Sequence, residues 1–144
     1  QDERLVWSAG ARMEWFGRGF RVLHHGASVG ELPPEPFPVD WLFGMGTFVP
    51  ASVFAAVGLP DAGRFPMAWG DADFTLRAGA AGIPIVLDPG LRLSHEVGGY
   101  DARVAPAPSL SQYVASLRRR THNISLSAQL EIWRRHGPKG WPCS

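Results

Sequence analysis

The sequence predicts an α/β fold, because short apolar runs typical of strands alternate with segments that carry helix start and stop signals. Glycine and aromatic residues favour strands near the N-terminus. Pro50 and Gly58 flank a short apolar helix, and a second helix that stops at Gly82 leads directly into the apolar run 83–87. This alternation is typical of layered α/β domains.

The segment up to residue 43 is predicted to be mainly extended. Residues 4–23 carry short apolar groups separated by glycines, which predict two or three short strands. The proline-rich segment 31–38 has few backbone donors and is predicted to be a connector without helix. Residues 39–43 have the pattern of a strand, which enters a glycine-rich turn at Gly44-Met45-Gly46.

Helices and strands are both predicted in the remainder. The first helix covers 51–57, and Asp71 is placed to cap a second helix over 72–81. Strands are expected at 83–87 and 91–95. Apolar residues at helical spacing predict a long helix over 109–136, which Gly137-Pro138 ends.

Composition limits the class of protein. At 144 residues the chain has the size of one domain, and 45% hydrophobic with 19% charged residues excludes a disordered chain. A formal net charge of +1 gives no field suited to nucleic acid, so no such partner is expected. Cys143 is alone, which fits a reducing compartment. Without a membrane-length apolar run or a signal-peptide core at 1–10, we expect a cytoplasmic location.

Two carboxylates at the start of the second helix are the strongest chemical candidates. Asp71 and Asp73 are two residues apart, so they do not face each other and can hold different roles. In a purely structural interpretation, Asp71 caps the helix and Asp73 complements its dipole while pairing with Arg77 at i+4. In a functional one, a carboxylate points into a cleft and acts on a substrate.

An ordered series of motifs runs from residue 39 to residue 95. It comprises a strand with a glycine-rich turn, then Val53-Phe54, Val57-Gly58-Leu59-Pro60, Phe65-Pro66, Trp69-Gly-Asp-Ala-Asp-Phe-Thr-Leu-Arg77, Gly82-Ile-Pro84 and a histidine after the next apolar run. In order and spacing this series resembles family 2 glycosyltransferases, especially their rhamnosyltransferase and galactofuranosyltransferase branch. The resemblance implies the C-terminal, acceptor-side part of a GT-A, Rossmann-like mixed-sheet domain over 1–108, followed by a helical segment over 109–144.

The resemblance implies inverting transfer from a nucleotide-activated sugar, such as dTDP-rhamnose or a UDP-sugar, to a hydroxyl of a glycan or lipid-linked acceptor. Such a reaction belongs to cell-wall or polysaccharide biosynthesis. Asp71 stands where the family has its general base, and Asp73 matches a further acid of the acceptor site. Gly70 replaces the first acid of the family's pair, which puts any acceptor contact through that carboxylate in doubt.

Beside these acids, two tryptophans and two glycines are assigned to substrate and one histidine to a metal. Trp69 either stacks on a sugar face or packs in the core, and Trp41 is expected mainly in the core. Gly44 and Gly46 form either a sugar platform or a simple turn. His95 resembles the family's histidine ligand to a divalent metal, Mg²⁺ or Mn²⁺, although a lone histidine at a strand end is more often structural.

The family places its donor site and an Asp-any-Asp metal motif before the matching text, so a missing N-terminal half or self-association is expected. The basic run Arg118-Arg119-Arg120 is either a solvated helix face or a contact of helix 109–136 with anionic lipid on the inner face of the membrane. The alternative function is a noncatalytic fragment that binds glycans or proteins. A hydrolase is disfavoured, because both carboxylates would approach the bond from one helix start.

Overall fold

The computed structural model describes residues 5–16, 19–94, 109–118 and 125–138. In these ranges the chain is mixed α/β, with four α-helices and two small antiparallel sheets of two strands each. The α/β class is therefore confirmed at the level of secondary-structure content.

The first sheet is a hairpin near the N-terminus. Strand β1 (Ala11–Glu14) pairs with β2 (Gly19–Val22), and the register places Ala11 opposite Val22. Two or three short strands were predicted for this region, and two are found. The hairpin is tied to the following segment because Asp40 accepts hydrogen bonds from the Arg12 guanidinium at 2.9 Å and from the Met13 backbone N–H at 2.8 Å.

The connector predicted to lack helix begins with a 3₁₀-helix, Val29–Glu31. Ser28 caps this turn, and the Glu31 side chain accepts from the Ser28 backbone N–H at 2.7 Å. This reciprocal capping satisfies backbone groups before the prolines begin, so the prediction was wrong at Glu31. The second sheet follows, with β3 (Phe37–Pro38) antiparallel to β4 (Val86–Leu87).

Three predicted strands are shorter than expected or absent. The strand predicted at 39–43 is replaced by irregular chain, in which Trp41 forms an isolated bridge with Ala11. The run 83–87 contributes only β4, and 91–94 contains no strand. Leu91 and Leu93 are instead exposed, by 66% and 71%.

The first two helices support the candidate acids. Helix α1 (Ala51–Val57) has the predicted bounds and ends at Gly58. Helix α2 (Gly70–Ala80) begins earlier than predicted, with Trp69 as its N-cap and no side-chain cap. Asp71 therefore lies inside the first turn, and the prediction that it caps the helix was wrong.

The long helix predicted over 109–136 is not continuous. The structure describes α3 (Leu110–Arg118) and α4 (Leu126–His136), separated by residues outside the described ranges and by Ser125. Ser125 has ψ of 120°, which is not helical, so α4 starts anew after it. The predicted end at Gly137 is confirmed.

Two hydrophobic clusters hold these elements. The larger joins the hairpin, the irregular segment, α2 and α4 through buried Ala11, Trp41, Phe65, Ala72, Ala128 and Ile132. The smaller joins α1 and α2 through Val53, Phe74 and Ala78. Because α2 contributes to both clusters, its start is held from two sides.

Helix α3 is the least covered element. Leu110, Tyr113 and Val114 lie at helical spacing on one face and are exposed, Leu110 by 79%. Among the helices described, none has both the length and the apolar character needed to cross a membrane.

Candidate active site

A cleft of about 1280 Å³ opens between the hairpin, the segment around Trp41, the start of α2 and one face of α4. Its wall is mainly aromatic, with Trp7, Phe20, Trp41, Phe43, Phe65, Trp69 and Trp133. The polar and charged side chains on the wall are Glu14, Arg21, His25, Asp71 and Gln129. A smaller cavity of about 270 Å³ beside Arg64 and α4 contains none of the residues assigned from sequence.

The aromatic wall is a continuous row of rings. Trp69 stacks on Trp41 with centroids 5.5 Å apart and planes at 24°. Trp41 contacts Phe43 at 4.5 Å, and Phe43 contacts Trp7 at 5.2 Å in an edge-to-face arrangement. Phe20 packs edge-on against both Trp41 and Trp69. These offset and edge contacts are the favourable geometries for aromatic pairs, so the row is a fixed surface.

Trp41 belongs to the packing core of this row. It is only 5% exposed, and its indole N–H has no hydrogen-bond partner among the described residues. The expectation that Trp41 is mainly core is confirmed, and its assignment to acceptor contact finds no exposed surface to support it. Trp7 and Trp69 are the accessible indoles at the two ends of the row, Trp7 being 45% exposed and Trp69 half-buried.

Trp69 adopts a left-handed backbone conformation, with φ of +70° and ψ of −1°. This region is unfavourable for a bulky residue and persists only where surrounding contacts hold it. Stacking on Trp41 and edge contact with Phe20 supply such contacts. The strained residue therefore turns the chain sharply into α2 and presents the next residues to the cleft.

Asp71 is the partly exposed carboxylate at this turn. Its Oδ2 accepts from the Gly44 backbone N–H at 2.9 Å, and its Oδ1 accepts from the Ala72 N–H at 2.8 Å. An ionised carboxylate has about four lone-pair positions, so two backbone donors leave room for a further donor. A hydroxyl in the cleft is such a donor, and the carboxylate is already oriented to receive it.

Asp73 has no exposed surface and is surrounded by cationic or hydrogen-bonding groups. Its Oδ2 accepts from Arg77 Nε at 2.9 Å, and its Oδ1 accepts from His136 Nε2 at 2.9 Å and lies 3.0 Å from Arg135 Nη1. The predicted pair with Arg77 is confirmed. Because the carboxylate is enclosed, the structure does not support the predicted acceptor contact and makes Asp73 the link between α2 and α4.

Opposing effects set the pKa of Asp73. Burial alone would raise the pKa, but the hydrogen bonds from His136 and Arg77 and the charge of Arg135 outweigh burial and lower it below the usual range. Arg77 also connects α2 to the end of α1, because its guanidinium donates to the carbonyl oxygens of Val57, the last residue of α1, and of Leu59 just after it. The charged state of Asp73 thus fixes the start of α2.

The two glycines assigned to substrate have different surroundings. Gly44 donates its N–H to Asp71 and so takes part in orienting that carboxylate. Gly46 has φ of +74°, and a Cβ there would clash with Leu93 Cδ1. The space beside Gly46 is therefore occupied by the Leu93 side chain and not open to a sugar. Of the two interpretations of Gly46, sugar platform or simple turn, the structure favours the turn.

The described residues do not form a metal site. No group of three or more His, Cys, Asp or Glu side chains is close enough to hold an ion in the part of the chain that the structure describes. His95, the predicted ligand, lies outside the described residues. Asp71-Ala72-Asp73 does not fit either, because Asp73 is enclosed by Arg77 and Arg135. We therefore derive no step through a metal.

Several cleft residues were missed from the sequence. Glu14 and Arg21 face the cleft from the hairpin as an ion pair at 2.9 Å, and Trp7 and His25 line its far end. The strand pattern had identified the hairpin, and alternation along β1 would have shown that its side chains divide between two faces. No sequence signal placed that hairpin beside the start of α2.

Comparison with known proteins gives no relative, since no protein-family model, curated protein or solved structure matches the chain.

Proposed function

We propose that this chain provides the acceptor side of an inverting GT-A glycosyltransferase, with Asp71 as the general base. The observation that carries the proposal is the position of the Asp71 carboxylate, on the cleft wall two residues from the accessible Trp69 and held by two backbone N–H groups. The motif series 39–95, which resembles family 2 glycosyltransferases, supports the same assignment.

The proposed chemistry needs one carboxylate on the acceptor side. A sugar hydroxyl is a poor nucleophile, and a carboxylate within hydrogen-bond reach removes its proton as the oxygen attacks the anomeric carbon of the donor. The new glycosidic bond forms while the bond to the nucleoside diphosphate breaks, and the electron pair of that bond leaves with the diphosphate. Attack from the opposite face inverts the anomeric centre. Asp71 ends the step protonated and returns its proton to solvent.

The cleft wall supports a sugar as the acceptor. Trp69 offers an indole face beside Asp71, and aromatic faces pack against the C–H faces of sugars while leaving the hydroxyls free. Gly44 orients Asp71 without adding a side chain to the wall. A sugar resting on Trp69 would therefore have a hydroxyl within reach of the carboxylate.

The exposed stripe on α3 supports a lipid contact. Leu110, Tyr113 and Val114 form an apolar face whose side chains are 79%, 47% and 37% exposed, and Arg118 lies at the end of the helix with two more arginines after it in sequence. An apolar face next to basic residues suits the interface of an anionic bilayer. In the proposal this contact brings the cleft to a lipid-linked acceptor.

The test is transfer by the polypeptide that carries this chain, expressed as its gene encodes it. Nucleotide-sugars including dTDP-rhamnose and UDP-sugars are offered with divalent metal and a set of glycan acceptors. Asp71→Asn preserves the size of the side chain but removes the base, and turnover should fall about 10²- to 10⁴-fold. Asp61→Asn, outside the cleft, is the matched control and should keep turnover.

Two outcomes would contradict the proposal. Unchanged turnover in Asp71→Asn removes that residue from the role of base. Glycan binding by the wild type without transfer from any donor favours the second candidate, a noncatalytic glycan-binding fragment, which the same aromatic cleft would serve.

A further inference from the structure

The aromatic row extends well beyond the proposed base. Asp71 and Trp69 lie at one end, buried Trp41 and then Phe43 form the middle, and Trp7 lies at the other end. The three successive ring spacings are 5.5, 4.5 and 5.2 Å. A sugar ring is similar in width to one aromatic ring, so the row is longer than one sugar placed against Trp69.

We propose that the Trp7 end of the cleft is a second sugar subsite, and that the acceptor is therefore an oligosaccharide of at least two residues. This inference rests on the proposed function, because it assigns the reacting sugar to Trp69 and Asp71. The sugar that packs against Trp7 lies further along the oligosaccharide from the reacting hydroxyl.

The cleft has the polar groups that a sugar needs. His25 lies beside Trp7, and the bond from its Nδ1 to the Trp7 carbonyl oxygen leaves Nε2 for a ligand. Arg21 and Glu14, paired at 2.9 Å, line the same cleft further along the hairpin and remain substantially exposed. Hydroxyl groups both donate and accept, so this mixed wall of aromatic and polar side chains favours a carbohydrate.

Trp7 is also held in place before any ligand arrives. His25 Nδ1 donates to the Trp7 carbonyl oxygen at 2.7 Å. The residue before it is anchored on both sides, since Val6 N–H donates to Ala27 O at 2.9 Å and Gly26 N–H donates to Val6 O at 2.8 Å. An exposed indole on an anchored backbone loses little conformational entropy on binding, as expected of a preorganised binding surface.

The experiment compares acceptors that differ only in length. Monosaccharide, disaccharide and trisaccharide members of one glycan series, chosen from an array, serve as acceptors for transfer and as ligands in tryptophan-fluorescence titrations. The wild type should favour the longer members of the series over the monosaccharide by about tenfold or more in kcat/KM or affinity. Trp7→Ala should remove the gain that comes with length and leave the monosaccharide value unchanged.

Two further variants keep the result interpretable. His25→Ala, at an exposed position beside Trp7, should show the same length-specific loss without placing the core at risk. Phe48→Ala, which removes an exposed aromatic side chain that does not line the cleft, should change neither value.

The outcomes separate this inference from the proposed function. Transfer that depends on Asp71 but is equally efficient for all lengths, or that Trp7→Ala lowers equally for all lengths, overturns the second subsite alone. Length-dependent binding that is lost in Trp7→Ala, without transfer from any donor, supports the subsite and contradicts the transferase. Absence of both binding and transfer overturns both.

Discussion

Replacing Asp73 by Asn should destabilise the protein far more than any exposed charge substitution. The side chain keeps its size, but the carboxylate that faces Arg77, Arg135 and His136 becomes neutral. Removing one partner of a buried ion pair costs about 3–5 kcal/mol, because the other charges stay in place without compensation. Arg77 and Arg135 are partly exposed, which lets water solvate them, so we expect about 3 kcal/mol, at the lower end of that range.

Urea unfolding followed by circular dichroism measures this loss, with the free energy of unfolding extrapolated to water. Asp61→Asn is the matched control, because Asp61 makes longer, partly exposed pairs with Arg64 and Arg135, both at 3.5 Å, and the variant should lose less than about 1 kcal/mol. If Asp73→Asn also lost less than about 1 kcal/mol, the buried cluster would not hold α2 to α4. An unfolded Asp73→Asn beside a folded Asp61→Asn would agree with the expected loss.

Two further predictions concern pH and lipid. Because the pKa of Asp73 is lowered in the folded state, its charge stabilises the fold above its usual pKa near 4, and that stability is lost as pH falls from about 4 through the folded-state pKa. The free energy of unfolding in urea should therefore fall less between about pH 6 and about pH 3 in Asp73→Asn than in the wild type. The wild type should sediment with phosphatidylglycerol vesicles but not with phosphatidylcholine vesicles, and the double variant Leu110→Ser, Val114→Ser should no longer sediment with either. If the double variant still binds vesicles but no longer self-associates, α3 instead contacts a second copy of the chain.

Local signals correctly predicted the bounds of α1 and the end of α4. Helix α1 has the bounds that Pro50 and Gly58 indicate, and α4 ends where Gly137-Pro138 predicts. These signals succeed because caps and stops act within a few residues of the backbone they satisfy. The ion pair between Asp73 and Arg77 could be predicted from the sequence for the same reason, since side chains at i and i+4 are neighbours on any α-helix.

Long-range placement could not be predicted from the sequence. The apolar runs 39–43 and 91–94 look like strands, but a strand needs a neighbour at the right register, and periodicity does not supply one. The burial of Asp73 likewise depends on Arg135 and His136, which α4 brings from far along the chain. Asp71 was expected to cap its helix, whereas a strained Trp69 takes that position and leaves the carboxylate to the cleft.

The larger core joins residues that are made at very different times. Ala11 and Trp41 pack in one cluster with Ala128 and Ile132 of α4. Translation adds about 5–20 residues per second, so α4 leaves the ribosome on the order of ten seconds after the hairpin side of this core has been synthesised. During that interval Trp41 and Phe65 lack part of their cover, and the chain presents to chaperones the same aromatic surface that later forms the wall of its cleft.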